Sequence, residues 1–231
     1  MRQDDLPKIR DLTIFKGISD QSFDELMTAS FLQTFPVQME LIDEGEPADF
    51  LHIVVDGCVE LFAQSNGRES TMAMVYPVSS FILAAILKDA VYLMSARTNK
   101  KSRILMIPAE SVRDVFDKDP AFSKAMVIEL SNCYRGVVKE HKNLKLRTSV
   151  ERLANRLLRY RQNQRSDQIT LPYDKKILAS NLGMTPENLS RAFNTLKPYG
   201  VKVDGNKIAL TDIEALANFA KPSKLIDDQS V

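Results

Sequence analysis

The apolar positions of this chain change period along its length. From about residue 34 to residue 108 they fall in short alternating or continuous blocks, at 51–55, 58–62 and 71–75, punctuated by Asp56-Gly57 and Ser65-Asn66-Gly67. Asp-Gly and Asn-Gly supply the positive φ that tight turns require, so this stretch predicts an antiparallel roll or barrel. Helical patterns around residues 5–10 and 20–29 precede it.

From residue 120 the period lengthens. Phe122, Met126, Leu130, Cys133, Val137, His141 and Leu144 are spaced 4, 4, 3, 4, 4 and 3, which predicts one long helix to about residue 146 with a coiled-coil seam. Val127, Tyr134 and Val138 form a second stripe that is expected to pack on the roll. Apolar work on two sides points to a parallel homodimer, with a single buried helix as the plainer reading. Gly136 weakens the seam locally or lets two backbones approach. Val150, Leu153, Ala154, Leu157 and Leu158 mark a further amphipathic helix over residues 148–164. Residues 161–168 read as a polar connection.

Residues 174–197 then carry a sharper pattern. Asp174 is placed to cap a short helix containing Ile177, Leu178 and Leu182, and Gly183 offers the positive φ that ends it. Ala179, four residues before Gly183, is small enough to let a second helix cross closely. Thr185 is the next cap, Pro186 suits the first helical position, and Leu189, Phe193 and Leu196 turn inward. Glu187, Asn188, Ser190, Arg191 and Asn194 are left facing outward. The pattern is that of a helix-turn-helix, a structural helical hairpin being the alternative. Residues 201–210 alternate around Asp204-Gly205 and predict a β-hairpin behind the second helix, which makes a winged helix.

Composition narrows the class. The 231 residues, 44% hydrophobic and 26% charged, are those of a soluble globular protein with room for two domains. The longest apolar run, residues 81–87, is too short to span a bilayer, and the N-terminus lacks a signal-peptide core, so a cytoplasmic protein without membrane partners is expected. Two cysteines, Cys58 and Cys133, fit a reducing compartment and are too few for an iron–sulfur sensor. Net charge is only +1, yet it is unevenly spread: −6 over residues 1–118, +3 over 119–150 and +4 over 151–220. The excess collects where a phosphate backbone would lie, although a solvated charged face explains it equally. No phosphate loop, His-Glu-x-x-His or nucleophile elbow is present, which argues against an enzyme.

The order roll, long helix, winged helix-turn-helix resembles the CRP/FNR superfamily of bacterial transcription regulators over nearly the whole chain. The likeness is carried by the glycine-punctuated stretch from Glu44-Gly45-Glu46 to Leu61 and by the run from Gly183 through Thr185-Pro186-Glu187 to Ser190-Arg191. Within the superfamily the FtrB-type subgroup is most similar, through residues 81–97 and 185–191. The resemblance implies an α+β protein: a β-roll of the cyclic-nucleotide-binding kind (residues 1–118), a dimerisation helix (119–147), a winged helix-turn-helix (148–220) and a loose tail (221–231). It also implies a homodimer that binds double-stranded DNA at an inverted repeat, contacts RNA polymerase, and acts as an activator. The family pattern Glu-x-x-Ser-Arg carries base reading onto Glu187, Ser190 and Arg191. Arginine suits guanine O6 and N7, glutamate suits cytosine N4, and the FNR-like half-site contains TTGA. Lys175, Lys176, Thr185 and Asn188 are assigned to phosphates.

The effector cassette departs from the family. Where cyclic-nucleotide binders place Gly-Glu and Arg-Ser, this chain has Leu83-Ala84 and Met94-Ser95. A cyclic phosphate needs a cation or converging amides, so ordinary cAMP binding is not expected. Arg97, three residues on from Met94, would restore a cation only if the register shifted. Phe81, Leu83, Ala84, Leu87, Tyr92, Met94 and Ser95, with Ile82, Ile86 and Leu93, could line an apolar pocket for an unidentified small effector, or simply close the roll. Haem is a cofactor to consider there, with His52 and His141 as the available ligands. If an effector binds, the resemblance implies a shift of the long helices with a hinge at residues 144–149. The alternative function is a sensor whose roll regulates a protein partner.

Overall fold

The computed structural model describes residues 6–228. Asp5 of the first helical stretch and residues 229–231 of the expected tail lie outside the described residues. The chain forms two compact units, Met1–Cys133 and Tyr134–Val231, and the long helix contributes to each.

The first unit contains α1 (Leu6–Arg10), a 3-10 turn (Thr13–Phe15), α2 (Asp20–Ala29), β1 (Phe31–Phe35), β2 (Glu40–Ile42), β3 (Phe50–Asp56), β4 (Val59–Ser65), β5 (Arg68–Val75), β6 (Ser79–Phe81), α3 (Leu83–Lys88), β7 (Ser95–Thr98), β8 (Ser102–Pro108), α4 (Ala109–Lys118) and the first turns of α5 (Pro120–Leu146). Its strands form two four-stranded antiparallel sheets, ordered β1-β8-β3-β6 and β2-β7-β4-β5. The expected strands are present at 50–56, 59–65 and 68–75. Asn66-Gly67 closes a true hairpin, with Ser65 opposite Arg68 and positive φ at both turn residues. Asp56-Gly57 plays another part. β3 and β4 belong to different sheets, so this dipeptide turns a corner between them. Gly57 has φ +99°, and a Cβ there would collide with Ser102 and with the Lys101 carbonyl. Ser102 pins the corner by accepting from the Cys58 N–H at 3.1 Å.

The core joins Leu51, Ile53, Leu61, Ala96, Leu105 and Ile107 of the sheets to Phe15, Phe23 and Leu26 of the N-terminal segments. Here the seam expectation needs correction. Phe122 and Met126 are fully buried in this core, Phe122 stacking on Phe15 with centroids 6.3 Å apart, and Leu130 packs at its edge. The Asp119 carboxylate starts α5 by accepting from the N–H groups of Ala121 (3.0 Å) and Phe122 (3.2 Å), and accepts from Ser19, the α2 cap, at 3.0 Å. These bonds hold its carboxyl well below the usual range, the Ser19 N–H contributing most. The first two seam positions are therefore intramolecular, and the second stripe, assigned above to the roll, is open: Val127 is 54% exposed and Tyr134 71%. Helical period reports that a face is apolar, not which surface covers it.

The second unit holds the last turns of α5, then α6 (Ser149–Gln164), β9 (Gln168–Thr170), α7 (Lys175–Asn181), α8 (Pro186–Leu196), a 3-10 turn (Lys197–Tyr199), β10 (Val201–Asp204), β11 (Lys207–Leu210), α9 (Ile213–Ala220) and α10 (Lys224–Asp227). The expected hairpin forms with Asp204 opposite Lys207, and β9, which residues 161–168 did not announce, adds a third strand in the order β10-β11-β9. The segment expected to be a loose tail is also corrected in part, since residues 224–227 form a helical turn tied to Arg147. No helix among the described residues is long and apolar enough to cross a membrane.

Candidate functional site

Each half of the helix-turn-helix is built by its own caps. Asp174 Oδ1 accepts from the Ile177 N–H at 2.9 Å, and Thr185 Oγ1 accepts from the Asn188 N–H at 3.3 Å. Gly183 turns the chain at φ +64°, with the Met184 N–H returning to the Ala179 carbonyl at 3.0 Å. Ala179 and Leu182 are buried, as are Leu189, Phe193 and Leu196 beneath α8.

Glu187, Asn188, Ser190 and Arg191 are consequently exposed along one side of α8. The Arg191 guanidinium has no hydrogen-bond or ion-pair partner among the described residues. Glu187 lies in the first turn, and its own backbone N–H, the Thr185 hydroxyl and Arg191 hold its carboxyl below the ordinary glutamate range. Ser190 Oγ donates to the Pro186 carbonyl at 3.1 Å, which leaves its oxygen as an acceptor. Lys176 and Thr185 are exposed, while the Lys175 ammonium lies over the Phe193 ring, 5.8 Å from its centroid.

What holds this face at its angle was not evident from sequence. Arg152, buried on α6, donates from Nε to the Leu182 carbonyl (2.9 Å), from Nη1 to the Arg147 carbonyl (2.8 Å) and from Nη2 to the Gly183 carbonyl (3.4 Å). Arg156 donates to Asn181 Oδ1 at 2.6 Å, Tyr160 and Tyr173 join hydroxyls at 2.7 Å, and Asn155 donates to the Ala220 carbonyl at 2.7 Å. The available signal was a pair of arginines four residues apart inside the apolar stripe of α6, where a cation needs carbonyl partners.

The expected effector residues are placed differently. Phe81, Leu83 and Tyr92 are buried in the roll core with almost no accessible surface. Leu87 and Met94 are half-buried against the core, and Ala84 is exposed. Ser95 Oγ accepts from the Glu44 N–H at 3.0 Å. Arg97 does not restore a phosphate site. Its guanidinium bonds Glu60 at 2.9 Å and both oxygens of Glu69 at 2.7 and 3.1 Å, and lies 4.1 Å from the Phe62 ring centroid. Glu60, itself buried, also accepts from Thr71 at 2.6 Å.

His52 on β3 stacks on Phe81 with centroids 5.3 Å apart, and neither ring nitrogen has solvent access or a hydrogen-bond partner. Desolvation pushes its pKa down to about 4. An iron atom has no approach to those nitrogens, so His52 does not fit haem. His141 is exposed on α5. An open cleft of about 530 Å³ lined by Pro47, Asp49, Asp89, Glu110 and Arg113 sets three carboxylates against one guanidinium, the wrong balance for a phosphate.

Comparison with known proteins agrees with this geometry. Residues 32–119 match the cyclic nucleotide-binding domain family and residues 151–219 match the Crp-like helix-turn-helix domain family. The CRP-like cAMP-activated global transcriptional regulator of Mycobacterium tuberculosis is 23% identical over 215 residues, covering 90% of this chain and 96% of that protein. A candidate cAMP-binding regulatory protein from Silicibacter pomeroyi DSS-3 superposes with a TM-score of 0.59 at 28% identity, over 96% of this chain and all of that one. FixK2 from Bradyrhizobium japonicum gives 0.71 at 22% identity, over 84% of this chain and 98% of that chain. With the roll and the helix-turn-helix both matched and in that order, the chain belongs to the CRP/FNR family of DNA-binding transcription regulators.

Proposed function

We propose that this regulator works as a homodimer, of the FtrB-type subgroup, that reads a TTGA-containing inverted repeat and activates transcription through contact with RNA polymerase. Residues 1–118 serve as the sensing roll, 119–147 as the dimerisation helix and 148–220 as the reading head. The observation that carries the reading is the outer side of α8, where the unpartnered guanidinium of Arg191 sits beside Glu187 on a helix whose start is set by Thr185. Arg191 donates to guanine, Glu187 accepts from cytosine N4, and Ser190 offers an acceptor to a neighbouring base. Lys175, Lys176, Thr185 and Asn188 hold phosphates and set register.

The dimer seam uses Val127, Tyr134 and Val138 at the heptad spacing, flanked by Ile128 and Val137, rather than Phe122 and Met126. Cys133, Val137, His141 and Leu144 from the original seam are exposed enough to contribute. The effector, where one acts, is not cAMP held in the ordinary way, because Leu83, Ala84 and Met94 bring no charge and Arg97 is committed to two glutamates.

The test is binding to duplexes bearing the TTGA inverted repeat or a scrambled copy, with and without Arg191→Ala. The wild type should prefer the repeat, and the variant should lose roughly 1–3 kcal/mol of that preference, most of it at one guanine. An equal affinity of wild type and variant for every duplex, including duplexes selected from a random pool, would sink the assignment of Arg191.

A further inference from the structure

The two ends of the second unit meet at the foot of α5. Arg147, the residue between α5 and the α6 cap Thr148, grips Asp227 of α10 with two parallel bonds, Nη1 to Oδ1 at 2.8 Å and Nη2 to Oδ2 at 2.6 Å. The partners are 80 residues apart, and the Arg147 side chain is only 7% exposed. Asp227 Oδ2 also accepts from the Ser223 N–H at 2.7 Å, and Lys139 donates to the Asp228 carbonyl at 2.7 Å. On its other side Arg147 donates to Asn143 Oδ1 at 3.2 Å, and its carbonyl accepts from Arg152, the residue that also holds the Leu182 and Gly183 carbonyls. Leu144 completes the joint, its Cδ2 lying 3.0 Å from where a Cβ on Gly183 would stand.

We infer that residues 223–228 are a strap and that Arg147 and Asp227 are positioning residues for DNA binding: their ion pair fixes the corner between α5 and α6, and Arg152 transmits that setting to the turn from which the recognition helix projects. The corner at residues 144–149, which the resemblance implies as the hinge of an effector-driven shift, is on this account a clamped joint. A bidentate pair specifies an angle as well as a distance, which a single ammonium contact does not. Burial alone would push the Asp227 carboxyl up, but the Arg147 and Ser223 bonds bring it below its usual value, so the strap is charged and closed at neutral pH.

The inference rests on the DNA-binding reading above, and its test separates the two. In the full-length protein, Asp227→Asn keeps the shape and removes the charge, while Asp227→Glu keeps the charge one methylene further out. Amide exchange at Gly183 and Met184 should speed up in Asp227→Asn and return towards wild type in Asp227→Glu. Affinity for the preferred repeat should fall about tenfold in Asp227→Asn, and discrimination against repeats with one base pair added to or removed from the spacer should flatten, because a loose head tolerates misplaced half-sites. Unchanged exchange and unchanged spacer discrimination in Asp227→Asn overturn the strap. Equal defects in the Asn and Glu variants overturn it too, since they would reflect packing rather than the ion pair. Should the wild type discriminate no duplex at all, the DNA reading falls and the exchange measurement alone decides the strap.

Discussion

Phe122→Ala should cost the N-terminal unit about 3–5 kcal/mol of stability, the usual penalty for deleting a fully buried aromatic ring. Its ring has no accessible surface and stacks on Phe15, which in turn meets Phe23 edge-on at 5.6 Å. Truncation would therefore open a cavity where the N-terminal helices, the roll and α5 converge. Tyr134→Ala, at a position 71% exposed, should leave that unit's stability nearly unchanged and weaken self-association instead. Chemical denaturation followed by sedimentation over a range of concentrations distinguishes the two effects. If Phe122→Ala merely weakened association, leaving the monomer's unfolding midpoint in place, the intramolecular assignment of the ring would be wrong.

The second large effect is a pH dependence from His52. Folding holds its pKa at about 4, against 6.5 for an ordinary histidine. Between those values the unfolded chain binds a proton that the folded chain refuses, so stability rises with pH across that window. It is fully present above about 6.5 and declines as pH falls, to be lost below about 4, where both states are protonated. At 1.36 kcal/mol per unit the window is worth about 3 kcal/mol. His52→Phe, which preserves stacking on Phe81, should remove this component. Urea unfolding of both proteins between pH 4 and 7 measures it, and parallel pH profiles for wild type and variant would refute it. The aromatic setting also explains why haem is a poor guess here. A histidine whose two nitrogens are sealed by Phe81 and its strand neighbours is a core side chain with a pH cost, not a ligand.

Legibility followed the range of the interactions involved. The helix-turn-helix could be read closely because its determinants act over three or four residues. Asp174 and Thr185 cap the helices they were expected to cap, Gly183 takes the positive φ assigned to it, and Leu189, Phe193 and Leu196 turn inward. The Asn66-Gly67 hairpin was legible for the same reason. Asp56-Gly57 carries a similar local signal, but only Gly57 takes a positive φ and Asp56 stays in β3, and which sheet receives the next strand depends on β7 and β8, some 40 residues away. The polar partners were the least visible. Nothing near Arg97 announces Glu60 and Glu69, and nothing near Arg147 announces Asp227.

By itself, then, the sequence determined the central strands β3 to β5, the long helix, the helix-turn-helix with its caps, the hairpin behind it, their order, and the outward set Glu187, Ser190 and Arg191, because these depend on backbone propensity and on neighbours within one helical turn. Tertiary structure alone decided three things: that Phe122 and Met126 belong to the chain's own core while Val127 and Tyr134 stay open, that Phe81 and Tyr92 are buried in the roll core, and that the C-terminal helical turn is tied to Arg147. The physical reason is common to all three. Which surface covers an apolar face, and which carboxylate meets a guanidinium, is settled by groups brought together from distant parts of the chain, and local period carries no record of them.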